Sequence, residues 1–121
     1  MLGHKVFGAG IPGLAVQAIC QDAKASISAA GTTQGDATSL TNAENEVSTV
    51  VSGSGVVLYS LATPGDTQCV FNAGANALRV YPPSGQKINA LPTNQHMTLA
   101  TNTGCLFKMV SSTRWFGVLS A

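Results

Sequence analysis

The chain has 121 residues, of which 45% are hydrophobic and only 9% charged, with a net charge of +1. A globular domain usually carries about 25% charged residues, so this surface is poorly protected against association and is expected to be covered in large part by other chains. The six Lys and Arg residues are scattered from Lys5 to Arg114, which makes no phosphate-tracking stripe and argues against nucleic acid; no stretch reaches the ~18 uninterrupted apolar residues of a membrane span.

The length suits one domain. Its polar residues are mainly Ser, Thr, Asn and Gln, which favour strands and turns over surface helices. Residues 1–25 differ from the rest. Leu2, Val6, Phe7, Ile11 and Leu14 are broken up by Gly3, Gly8, Gly10, Pro12 and Gly13. Those interruptions argue against a secretory signal and predict an extended apolar arm. The arm contains a literal G-x-G-x-x-G at Gly8–Gly13, but the strand before it is short and no βαβ series follows. The motif alone does not make a dinucleotide site.

Residues 26–30 read as a short strand, 31–35 as a polar turn and 36–45 as a strand or loop. Alternation over 46–51, a Ser52-Gly53-Ser54-Gly55 turn and an apolar run over 56–61 predict a hairpin. A second hairpin is expected where Cys69–Phe71 and Leu78–Tyr81 flank Asn72–Asn76, since Gly and Asn accept the positive φ of tight reversals. Pro82, Pro83 and Gly85 end it, because proline cannot donate to a ladder. A short strand follows at 87–89, then a loop with Pro92 and Asn94, then a brief strand at 97–100. Residues 105–110 and 114–119 form a last hairpin around 111–113. Cys105, Phe107 and Met109 fall on one face by alternation, and Trp115, the single tryptophan, is a core or interface anchor. Short strands with regular turn signals predict an all-β domain over 26–121, a single antiparallel β-sandwich or barrel of about eight strands.

Few residues suggest chemistry. His4 and His96 are far apart, and no Cys/His cluster predicts a metal. The acids Asp22, Asp36, Glu44, Glu46 and Asp66 sit at turns and strand starts. Ser54 lacks the strand–turn–helix setting of a nucleophile elbow. The sequence therefore predicts no enzyme and no cofactor. Cys20, Cys69 and Cys105 read as buried thiols of a chain folded in a reducing cytoplasm, with a Cys69–Cys105 bridge as the alternative.

Several stretches resemble a small β-rich module of tailed-bacteriophage virion proteins. They are Thr33-Gln34-Gly35, residues 45–51 and 53–58, Val70-Phe71-Asn72-Ala73-Gly74-Ala75, Leu78-Arg79-Val80-Tyr81-Pro82-Pro83-Ser84-Gly85, Ile88-Asn89 and Arg114-Trp115. One departure is Ala90, where the pattern more often has Gly. The resemblance implies a structural virion protein. A chain of this size, without a fibrous portion, suits a capsid decoration (cement) protein, made in the host cytoplasm and added to the outside of the head shell. The implied partners are the major capsid protein and copies of itself, commonly as a homotrimer. The alternative is a fibre or spike module with a receptor- or glycan-binding role, for which Tyr59, Tyr81 and Trp115 are the candidates.

The arm adds a physical expectation. Ordering ~25 residues costs roughly 25–50 kcal/mol of chain entropy. Offsetting that takes on the order of 1,000–2,000 Å² of apolar burial at about 25 cal/mol per Å², more than so small a domain supplies. Leu2, Val6, Phe7, Ile11 and Leu14 are therefore expected to contact a neighbouring subunit or the shell.

Overall fold

A computed structural model describes residues 22–120. The chain alternates between two sheets as it advances. β1 (Ala23–Ser28) lies in the first sheet, β2 (Thr38–Ser39) in the second, β3 (Glu44–Thr49) in the first, β4 (Gly55–Val57) in the second, β5 (Thr67–Asn72) in the first and β6 (Leu78–Tyr81) in the second. Neighbours within each trio are parallel: Ala23 pairs with Glu44 and Glu44 with Cys69, while Thr38 pairs with Val56 and Val56 with Val80. This is the winding of a short β-solenoid of three coils.

The rest of the chain closes the stack. β7 (Lys87–Ile88) lies at the far edge of the first sheet, β8 (Met97–Leu99) pairs antiparallel with β6, β9 (Thr103–Ser111) antiparallel with β5, and β10 (Arg114–Leu119) antiparallel with β9 and parallel with β7. The described residues hold no α-helix, only a 3-10 turn at Gln34–Asp36. The all-β reading stands. The antiparallel sandwich or barrel does not, because among the described residues most strand pairs are parallel and ten strands are present where about eight were expected.

Two of the three expected hairpins are instead crossings between sheets. Alternation tells which side chains point inward but not which strand lies alongside. At the first crossing, Gly53 has φ +82° and Ser54 donates its N–H to Val51 O at 2.9 Å, so the chain does turn after β3. It then enters the other sheet, where a Cβ on Gly55 would lie 2.7 Å from Arg79 O. At the second, Asn72 ends β5. Its buried amide donates to Asn76 O and Leu99 O, both at 2.9 Å, and its Oδ1 accepts from Gly74 N at 2.9 Å. Asn76 Nδ2 reaches back to Val50 O at 2.8 Å, tying this corner to the coil before it. The hairpin around residues 111–113 forms as expected, as β9 and β10.

The core lies between the sheets and is contributed by every coil: Ile27, Val47, Val56, Val70, Leu78, Val80, Leu99 and Phe107 are all buried. Trp115 is fully buried too, and its indole N–H donates to Gln86 Oε1 at 2.7 Å. β1 begins at Ala23, so regular structure starts before the boundary expected at residue 26. The arm residues Leu2, Val6, Phe7, Ile11 and Leu14, the Gly8–Gly13 motif, His4 and Cys20 lie outside the described residues.

Candidate functional site

Two surfaces stand out. The first is a cleft of about 260 Å³ near the start of β1, lined among others by Asp22, Asn42, Tyr59, Asp66, Gln68 and Trp115. Its polar atoms do much of the work of folding the corner. Asp22 accepts from Asn42 Nδ2 at 2.7 Å and from Ala43 N at 3.1 Å. Gln68, buried on β5, accepts from Tyr59 N at 2.9 Å and donates to Asn42 O at 3.0 Å. Asp66 accepts from Thr63 N at 2.9 Å. Tyr59 is half-buried at the rim, and Trp115 forms the floor.

The second is the outer face of the first sheet. Strand register sets Glu44, Cys69, Leu106 and Val118 side by side across β3, β5, β9 and β10. The adjacent rows add Glu46 beside Phe71, and Thr67, Lys108 and Phe116. Phe71, Leu106, Phe116 and Val118 are 46%, 43%, 45% and 66% exposed. They therefore form one contiguous apolar surface rather than scattered side chains, which is the kind of patch that marks an interaction site. Arg114 flanks it, with its guanidinium 4.8 Å from the centroid of the Phe116 ring.

The register also places the two described cysteines. Val70 and Cys105 are opposite and both face the core, so Cys69, one residue earlier on β5, points to the outer face. The thiols are free and lie on opposite sides of the sheet, which rules out the alternative bridge. Burial pushes the Cys105 thiol up to about 11, and burial with the nearby Glu44 carboxylate raises Cys69 as well. Such thiols are weakly nucleophilic at neutral pH.

The remaining candidates are separate. His96 packs edge-on to Tyr81 with ring centroids 5.3 Å apart; burial and then Arg79 lower its pKa. Asp36 is held low chiefly by the Thr33 hydroxyl at 2.7 Å, in the turn before β2. Ser54 Oγ donates to Val51 O at 2.6 Å, a turn contact. Among the described residues no three His, Cys, Asp or Glu side chains converge as a metal site, and no helix is long and apolar enough to cross a membrane. Of the aromatic candidates the sequence offered, Tyr59 lies at the cleft, whereas Tyr81 and Trp115 are buried, and the sheet face was missed. Phe71, Leu106, Phe116 and Val118 were visible as apolar residues on strands, with nothing to mark their side as uncovered.

The described residues thus form an all-β solenoid with an exposed apolar sheet face and a small polar cleft. Comparison with known protein families and with characterised proteins returns no match.

Proposed function

We propose that this chain is a non-enzymatic structural protein of a tailed-phage particle, a decoration protein that binds the outside of the head shell and stabilises it by bridging capsomers. The observation that carries the reading is the apolar outer face of the first sheet, built on a domain whose corners are locked by buried amides. A rigid frame presenting such a face loses little entropy on docking and gains from area removed from water. The resemblance to virion modules supports the setting, and the low charge supports a surface meant to be covered. Its partners on this reading are the major capsid protein and copies of itself. Counting copies on intact particles tests it: decoration requires hundreds per head, and shells lacking the protein should release their contents at lower temperature. A handful of copies confined to the tail would sink it.

The cleft favours a second reading, a glycan-binding module on a fibre or spike. Tyr59 beside Asp22, Asp66 and Asn42 offers the aromatic and polar groups a sugar ring needs, in a volume of about 260 Å³. Titrating cell-surface saccharides while following amide shifts in this corner would separate the two readings.

A further inference from the structure

We propose that the first coil binds a structural water molecule in a recess between β1 and the β2–β3 corner, hydrogen-bonded to Asn45 Oδ1. The recess measures about 30 Å³ and is lined by Lys24, Thr38, Thr41, Asn42 and Asn45 among others.

Asn45 is the residue that calls for an occupant. It is 1% exposed, and on β3 it alternates with the exposed Glu44 and Glu46, so its side chain points inward with that of Val47. Both of its amide protons are used: Nδ2 donates to Asn42 O at 2.9 Å and to Cys69 O at 3.1 Å. Those two carbonyls fix which end of the amide is which, because a flipped side chain would set its oxygen against two acceptors. Oδ1 then has no hydrogen-bond partner among the described residues. A buried carbonyl in that state carries its whole desolvation penalty, and folded chains seldom leave one so.

The chemistry of the recess selects the occupant. Oδ1 accepts, so whatever sits against it must donate a proton, which excludes an anion. Lys24 is paired in register with Asn45 on the neighbouring strand and lines the same recess. Its positive charge works against a metal ion or an ammonium group. The volume exceeds the ~10–15 Å³ that a water needs and falls far below the roughly 300 Å³ at which pockets for organic ligands begin. Thr38 Oγ1 gives its own proton to Ser28 O at 2.7 Å and is left as an acceptor. With Thr41 and Asn42 also in the wall, a water finds the two to four partners that hold it in place.

The site bears on the larger cleft. Thr41 and Asn42 line both, and Asn42 O accepts from Asn45 Nδ2 on one side and from Gln68 Nε2 on the other. The water therefore braces, from behind, the corner that forms one wall of the cleft.

High-resolution crystal structures of the full chain in two crystal forms, and of Lys24→Met, test the proposal. The expected density in all three is a water within hydrogen-bond distance of Asn45 Oδ1 and of at least one further polar group of the recess. Lys24→Met alters an exposed side chain on an edge strand and removes the one ammonium group of the recess that could donate to Oδ1 directly. Four results would each overturn the site: no ordered density beside Oδ1, Lys24 Nζ bonded to Oδ1 in the parent, a residue of the segment 1–21 seated in the recess, or an anomalous peak there in crystals soaked in rubidium.

Discussion

One edge of the Phe71 ring packs against Gly104 on the outer face of the first sheet. A Cβ on Gly104 would sit 2.5 Å from Phe71 Cδ1 and 2.8 Å from Cε1. The glycine gives the strand no side chain of its own, and the ring across the strand covers the bare backbone, a form of aromatic rescue. Gly104→Val should therefore displace the ring and cost about 1–3 kcal/mol, the usual range for overpacking. Urea denaturation of Gly104→Val, Phe71→Ala and the double variant checks this. The double variant should lose less than the sum of the singles, since the clash disappears with the ring; strict additivity would show that the two residues do not interact.

Asn72 is the second test. Replacing it with Ala strips partners from Gly74 N and from the carbonyls of Asn76 and Leu99 at a buried corner. Each stranded group costs about 1–3 kcal/mol, with partial relief from water, so a total loss of about 2–4 kcal/mol is expected. A change below 1 kcal/mol by chemical denaturation would mean that the corner holds without its amide.

Cys105 gives the protein a signature in alkali. Burial pushes its folded pKa up to about 11, above the 9.0 of a free thiol. The fold favours the neutral thiol, so its stabilising contribution is complete below pH 9 and is lost as pH rises towards 11. Cys105→Ala should be less stable than the parent at pH 8, with the gap narrowing between pH 9 and 11. In a Cys20→Ser background, Ellman's reagent should modify Cys69, which faces outward, well before Cys105. Equal rates would contradict the opposite-face placement.

Removing residues 1–21 tests the arm. β1 begins at Ala23, so the truncation leaves every described strand intact. The shortened chain should keep its β-sheet circular dichroism and the blue-shifted emission of buried Trp115. Its binding to shells should fall at least tenfold if Leu2, Val6, Phe7, Ile11 and Leu14 make the expected contacts. Unchanged binding would remove the arm from the interface.

What could be read from the sequence divides along a physical line. Inward and outward positions on β9 were legible, because Cys105, Phe107 and Met109 alternate with Leu106, Lys108 and Val110 and are all buried. The last hairpin was legible for the same reason, having two long alternating strands and a short polar turn. The coil corners were not. Asn72 with Gly74, and Gly53 with Gly55, are what a tight reversal needs, yet they serve equally where the chain passes from one sheet to another. What separates the cases is long-range: the amide of Asn72 reaches Leu99 O and that of Asn76 reaches Val50 O. The exposed apolar face was hidden by its own neighbours. Val70 and Phe71, or Phe107 and Leu106, are apolar on both sides of the strand, and nothing local says which side stays bare.

The alternating course of β1 to β6 has an evolutionary consequence. Each circuit of the chain lays down one strand on each sheet and makes its main contacts with the circuits beside it. A duplication or loss of one whole circuit would change the length of the solenoid while leaving the closing hairpin and its tryptophan in place. Chains of this design can thus vary in height in discrete steps without re-inventing their core.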